Sequence, residues 1–341
     1  LSVWAVLAPI AALNTVAVLA PPILSTDVFS YVAYSRMGGL YHLNPYLHGP
    51  IIVQSDPLIH FVGAKWITTS TVYGPLFTAF GYLLAPFDLA VNVLAYKLFA
   101  AISNLLVVVF VWKSAALRGL NPVKAITLVG LNPVTIIYGV GGGHNDLVML
   151  ALLMGAVYLL LCDREGRSGG LIAVATAVKL TGGLLLPFAL AEGRWRRHVR
   201  WPLTRLLAGV AAATAAIAAL TVVLFGSSVL HLLGTLESIQ SHGGTHSVPG
   251  WLLTTVGLHG WIGPVGAVLD VAFVGSVIWL TVEVWRGRLD WITAAGWATV
   301  ALLLTAGFLL PWYVAWLIPL TALSTDRRLQ RVSLALTAVC L

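Results

Sequence analysis

Residues 203–226 read LTRLLAGVAAATAAIAALTVVLFG, and after Arg205 no Asp, Glu, Lys or Arg appears before Glu237. As a helix this stretch is roughly 36 Å long. That is enough to cross a hydrocarbon core of about 30 Å. It lacks the strict alternation of a membrane barrel strand, so a helix is the reading. Comparable apolar runs recur at 91–112, 145–161, 264–285 and 291–309. Of 341 residues, 59% are hydrophobic and 9% charged. Soluble domains carry about 25% charged residues, so this composition excludes a soluble domain. The expected fold is an all-α polytopic membrane protein, a single transmembrane helical bundle over 1–341.

Lysines and arginines set the expected topology. Fifteen of the 19 fall in five clusters, Lys113/Arg118/Lys124, Arg164/Arg167, Arg194–Arg205, Arg286/Arg288 and Arg327/Arg328/Arg331. Placed on the cytoplasmic side, they make 1–23 a first span running outward and 24–90 a long outer segment with short interfacial helices. Further spans follow at 91–112, 123–138, 145–161, 203–226, 264–285, 291–309 and 311–323, with an outer loop at 227–263. Residues 170–191 lie between two basic clusters and contain Lys179, Gly182, Gly183 and Pro187. Two half-helices meeting near Lys179 satisfy both constraints, and broken helices are tolerated where they line a cavity. Tyr73–Phe87 is apolar, yet a crossing there would invert every later loop, so a helix lying at the outer face is expected. The net charge of +7 belongs to cytoplasmic loops and not to a nucleic-acid surface. Cys162 and Cys340 form no disulfide framework. The chain begins at Leu1 and stops inside an apolar run, which reads as part of a longer protein.

This topology gathers the chemistry outside. Asp27 follows the first span, where desolvation would raise its pKa and suit it to general-base work; the plain alternative is a helix N-cap from Ser25, Thr26 or Asp27. Tyr41-His42-Leu43-Asn44-Pro45-Tyr46 is either punctuation or a sugar-binding surface of rings and amides. Tyr73-Gly74-Pro75 opens a helix near the site. Gly141-Gly142-Gly143-His144-Asn145-Asp146 lets backbone approach a ligand and precedes a helix N-terminus that favours an anion; the alternative is a tight turn with Asn145 or Asp146 as cap. Lys179, a lysine within an apolar segment, is a functional hypothesis by default, set against snorkelling. Trp312 and Tyr313 fit an interfacial aromatic belt as well as a site. The loop at Ser238–Gly250, with His242 and His246, reads as a gate. His144 and Asp146 are too few for a metal site, and no nucleotide-binding glycine loop stands in a credible context.

The stretch Asp27-Val28-Phe29-Ser30-Tyr31-Val32-Ala33-Tyr34-Ser35-Arg36-Met37-Gly38, then Leu43-Asn44-Pro45-Tyr46, Tyr73-Gly74-Pro75-Leu76, Gly143-His144-Asn145-Asp146, Val178-Lys179-Leu180-Thr181 and Pro311-Trp312-Tyr313, resembles the GT-C class of membrane glycosyltransferases. Within that class it most resembles the actinobacterial polyprenol-phosphate-mannose-dependent α-1,6-mannosyltransferases. The resemblance implies an inverting transfer of mannose, from a polyprenyl-phosphate donor to a glycolipid or mannan acceptor, at the outer face of a bacterial plasma membrane. It maps the catalytic base onto Asp27. Thr26 stands where many members of the wider class carry a second acid, which weakens a metal-binding reading. No cofactor is implied, and a divalent metal stays open. Asp146 is expected to position substrate, His144 and Lys179 to meet the donor phosphate, and Asn145, Tyr31, Asn44, Tyr46, Tyr73, Trp312 and Tyr313 to line the substrate site. Three alternatives stand beside this reading: an arabinofuranosyl or other lipid-linked-sugar transferase of the same fold, a polyprenol-lipid flippase or transporter, and a structural membrane subunit.

Overall fold

The computed structural model describes residues 3–22, 24–195, 202–241 and 247–341. Arg196, Arg197 and Arg200 of the third basic cluster, and the His242–His246 part of the expected gate, lie outside them. The described elements are helical throughout. The helices are α1 (Val3–Leu19), α2 (Asp27–Gly39), α3 (Pro75–Tyr82), α4 (Leu89–Leu117), α5 (Pro122–Gly130), α6 (Asp146–Leu161), α7 (Glu165–Val178) and α8 (Leu186–Gly193). They continue as α9 (Pro202–Phe225), α10 (His231–Ser241), α11 (Val248–Thr255), α12 (Ile262–Trp285), α13 (Trp291–Thr305), α14 (Ile318–Ala322) and α15 (Arg327–Val339). Three helical runs, Leu89–Leu117, Pro202–Gln240 and His259–Trp285, are long and apolar enough to cross a membrane. Val3–Leu19, Asp146–Leu161, Leu180–Gly193 and Trp291–Thr305 are shorter apolar helices. The protein is an all-α membrane protein.

The elements form where the chain lets them and stop where it does not. Asp88, Asn121, Asp290 and Asp326 accept backbone N–H bonds at the starts of α4, α5, α13 and α15, as N-cap side chains do. The 123–138 span expected from hydropathy is not one helix. Pro133 lacks an N–H to continue α5, Asn132 Oδ1 instead accepts from Thr135 N at 3.2 Å, and a π-helical turn, Thr135–Val140, follows. The 227–263 loop is largely helical, carrying α10 and α11. α3 has eight residues, roughly 12 Å, well short of a crossing.

Packing is closest between α7 and α9. A Cβ on Gly209 would sit 1.8 Å from the Gly166 carbonyl oxygen, and one on Gly169 would sit 2.2 Å from the Leu206 carbonyl oxygen. Only glycines permit this backbone approach, as in small-residue contacts between membrane helices. α1 and α4 share a buried polar pair, Asn104 Nδ2 donating to Asn14 Oδ1 at 3.1 Å. The 24–90 segment is braced by Arg36 and Asp56 at 2.7 Å, with the Tyr41 hydroxyl donating to the same carboxylate oxygen at 2.9 Å.

The helical path of 165–193 is interrupted at Lys179. There the backbone is extended (φ −152°, ψ 127°), and a 3-10 stretch, Leu180–Leu185, separates α7 from α8. Gly74 N–H donates to the Val178 carbonyl at 3.1 Å, which ties the Tyr73-Gly74-Pro75 turn to this break. A side chain on Gly74 would strike the Ala177 carbonyl at 2.1 Å.

Candidate active site

Three elements bring ionisable groups together. Asp27 is the first residue of α2, Asp146 the first of α6, and Lys179 the residue at which α7 ends. Neither carboxylate caps its helix: Thr26 and Asn145 occupy the cap positions, and neither makes a side-chain cap bond. The Asp146 side chain is instead committed across the fold. Its Oδ1 accepts from Lys179 Nζ at 2.7 Å and from Trp316 Nε1 at 2.6 Å. Lys179 Nζ also lies 4.7 Å from the Tyr313 ring centroid and 5.1 Å from that of Trp316. These faces add cation–π attraction to the ion pair.

His144 sits behind the carboxylates, fully buried and stacked on Trp312 with ring centroids 4.1 Å apart. Its Nδ1 is 3.6 Å from Asp27 Oδ2, 4.0 Å from Asp146 Oδ2 and 3.5 Å from the Tyr31 hydroxyl. The carboxylate distances are longer than charge-assisted hydrogen bonds. Burial holds the imidazole down to about 4, with Asp146 opposing and Lys179 reinforcing that shift, so it is neutral at pH 7. Despite the short distances, His144 and the carboxylates are therefore not ion pairs. Asp27 moves the other way. Burial pushes its carboxyl up to about 7, Lys179 pulls against this, and Asp146 adds to it. A carboxylate with that value is balanced between acid and base near neutral pH.

Asp27 and Lys179 face a cavity of about 430 Å³. Leu180, Leu184, Phe273, Leu302, Leu303 and Leu310 give it apolar walls, and Trp66, Tyr73, Tyr313 and Trp316 give it aromatic ones. A chamber with apolar walls and a few convergent polar groups is the usual form of a small-molecule site. Among the described residues no three His, Cys, Asp or Glu side chains converge as metal ligands.

The other expected residues divide by place. Tyr73 and Tyr313 line the cavity. Tyr31 packs edge-on to Tyr73 at 4.7 Å. His144, Asn145 and Trp312 are buried behind the cavity and do not line it, so direct contact of His144 with a phosphate in the cavity is not offered by this geometry. Asn44 donates to the Phe225 carbonyl at 2.9 Å and accepts from Tyr46 N, and the Tyr46 hydroxyl donates to the Tyr73 carbonyl at 2.9 Å. These two residues brace the 24–90 segment. Trp316, Trp66, Gln240 and Phe273 line the cavity without having been singled out for it. Only Trp316 left a signal, one helical turn beyond Tyr313.

The fold and the cluster define an all-α membrane protein with a small-molecule site in which Asp27 and Lys179 face an apolar chamber and Asp146 holds Lys179 from behind. The chain belongs to the alpha-(1->6)-mannopyranosyltransferase family, whose N-terminal domain profile matches residues 6–192. Alpha-(1->6)-mannopyranosyltransferase A of Mycobacterium tuberculosis is 29% identical over 336 residues, covering 89% of this chain and 63% of that protein. The protein of the same name in Corynebacterium glutamicum is 30% identical over 181 residues, covering 52% and 36%. Alpha-(1->6)-mannopyranosyltransferase B of Corynebacterium glutamicum is 24% identical over 354 residues, covering 89% and 56%. The chain spans less than two thirds of the length of these curated relatives.

Proposed function

We propose that this protein is an inverting mannosyltransferase. It moves mannose from a polyprenyl-phosphate donor to the 6-hydroxyl of a mannan or lipoglycan acceptor at the outer face of a bacterial plasma membrane. The observation that carries the reading is the Asp27 carboxylate, pushed up to about 7 by burial, on the wall of an apolar cavity whose other charged group is Lys179. Asp27 takes the proton of the acceptor hydroxyl as its oxygen attacks the anomeric carbon. The bond from that carbon to the phosphate oxygen breaks, and phosphopolyprenol leaves. One displacement turns a β donor into an α product. Lys179, held by Asp146, Tyr313 and Trp316, faces the negative charge that grows on the leaving phosphate. A fixed charge in a dry site stabilises such a transition state without reorganising. The apolar walls suit the first isoprene units of the donor.

The test is mannose transfer from synthetic phosphopolyprenyl mannose to a short α-mannoside, with full-length wild type and Asp27→Asn. Wild-type turnover that falls by about 100-fold or more in a folded variant supports the base assignment. Equal turnover in both moves the base elsewhere, and no turnover in the wild type removes this donor.

A further inference from the structure

His144 takes no part in the transfer described above, yet the fold builds a fixed place for it. Its ring is fully buried and lies on Trp312 at an interplanar angle of 28°. The Gly142 backbone closes on its Nε2 edge, where an added Cβ would come within 2.7 Å of that nitrogen. Its backbone N–H donates to the Gly139 carbonyl at 2.9 Å. An imidazole held at a face, an edge and its backbone has one orientation.

That orientation turns Nδ1 towards three oxygens on two helices. Asp27 Oδ2 and the Tyr31 hydroxyl come from successive turns of α2, and Asp146 Oδ2 comes from the start of α6. Asp146 Oδ1 is committed to Lys179 and Trp316, while its Oδ2 makes no hydrogen bond among the described residues, and neither does His144 Nε2. Asp27 lines the cavity and His144 does not, so Asp27 Oδ2 points back from the cavity and Oδ1 is the oxygen left for it. Two carboxylate oxygens facing one nitrogen assign the ring proton to Nδ1. The ring is neutral at pH 7, so it offers a donor without the positive charge that would weaken a base.

We propose that His144 is a positioning residue for Asp27: its Nδ1–H draws Oδ2 and so presents Oδ1 to the acceptor hydroxyl. The 3.6 Å separation is about 0.8 Å longer than a charge-assisted bond. A small turn of the carboxyl closes it once Asp27 is ionised, because the anion draws the proton far more strongly than the acid does. What Asp27 does with Oδ1 rests on the transferase reading; the orientation of its carboxyl does not. Tyr31, Tyr34, Tyr73 and Tyr313 lie in the field of Asp27 and carry no charge near neutral pH. The nearby charges are Asp146, Lys179 and, on α4, Lys97, whose ammonium is turned to the Ala20 carbonyl. All of these stay in the variants that test the proposal.

His144→Phe keeps a ring to stack on Trp312 but has no N–H. His144→Asn gives up the ring and places an amide N–H near the former Nδ1. A carboxylate that loses a donor ionises less readily, so in full-length His144→Phe the acid limb of mannose transfer should move up by about one pH unit. Its kcat should fall about tenfold with both KM values unchanged, as for an interaction made only as the proton moves. In His144→Asn the limb should return towards the wild-type position. A purely structural role lowers the folded fraction of both variants and leaves the limb in place; that result overturns the proposal, as does a limb that asparagine fails to restore. Infrared difference titration of the Asp27 carboxyl, with Asp27→Asn as the blank, needs no substrate and separates the two ideas. A titration that rises in His144→Phe and returns in His144→Asn, in a protein that transfers no mannose, upholds the positioning role and sinks the transferase. One unchanged titration in wild type and both variants overturns the positioning role and leaves the transferase reading standing.

Discussion

Replacing Asp146 by asparagine removes one charge and keeps the shape, since an amide oxygen still accepts from Lys179 Nζ and Trp316 Nε1. Because His144 Nδ1 is 3.6 Å from Asp27 and 4.0 Å from Asp146, the two carboxylate oxygens lie within about 8 Å of each other. At an effective dielectric constant of about 20, a unit charge at that distance is worth roughly 2 kcal/mol, or about 1.5 pH units. Asp146 raises the Asp27 value and Lys179 lowers it. Asp146→Asn deletes the first influence and unmasks the second, so the Asp27 value falls from about 7 towards about 5.5. If Asp27 acts as base, kcat/KM rises with pH as that carboxyl ionises, and the acid limb moves down by the same amount. The assay is mannose transfer between pH 4.5 and 9 for both proteins. Lys179 keeps a hydrogen-bond acceptor but loses its counter-charge, which also costs about 1–3 kcal/mol of stability, so turnover is normalised to folded protein. A limb that stays near 7, or moves up, refutes the electrostatic account of Asp27 even if overall activity drops.

Three further outcomes follow from the same geometry. Lys179→Met removes the pull that lowers Asp27, so the acid limb of the pH–rate profile moves up while kcat/KM falls about 100-fold with loss of the ammonium that faces the leaving phosphate; a limb moving down contradicts this. Gly74→Ala drives a Cβ into the Ala177 carbonyl, 2.1 Å away, and should cost about 1–3 kcal/mol as overpacking does, read as a lowered thermal midpoint; an unchanged midpoint shows that the turn is not pinned to the helix break. For His144 the folded value of about 4 lies below the unfolded 6.5, so its stabilisation is complete above pH 6.5 and is lost as pH falls through 4, by of order 3 kcal/mol. Asp27, raised from 3.8 to about 7, works oppositely, favouring the folded state as pH falls through that window. His144→Phe, compared with wild type at each pH, should therefore gain relative stability on acidification between 6.5 and 4, and equal slopes in denaturant melts would count against a neutral buried imidazole.

The parts of this fold set by local rules can be read in the chain. Apolar length marks α4, α9 and α12, and Lys179 with Gly182, Gly183 and Pro187 marks the interruption between α7 and α8. Asp27 stands out as a carboxylate just past a span. At Asn132-Pro133 the same dipeptide signal that punctuates Asn44-Pro45 is present, and the apolar length of 123–138 hides it. Long-range pairing is not legible. Asp146 and Lys179 are 33 residues apart, and Asp146 and Trp316 are 170 apart; no periodicity announces either bond. Burial of His144, while His42, His48, His60, His231 and His259 stay exposed, comes from Trp312 packing over a turn far away in sequence.

The break in the helix and the charge at it explain each other. A lysine within a continuous apolar helix would have to snorkel or carry an unpaired charge through the bilayer. Ending α7 at Val178 turns Lys179 out of the helical row and aims its ammonium at Asp146, at the start of α6. Gly74, bonded to the Val178 carbonyl, satisfies a backbone acceptor that the break would otherwise strand. It also brings Tyr73 to the cavity wall beside Asp27. One interruption thus places the lysine, braces its carboxylate partner and docks the segment that carries the candidate base. This is why changes at Gly74, a residue with no side chain in the cavity, should be felt at Lys179 before they are felt anywhere else in the fold.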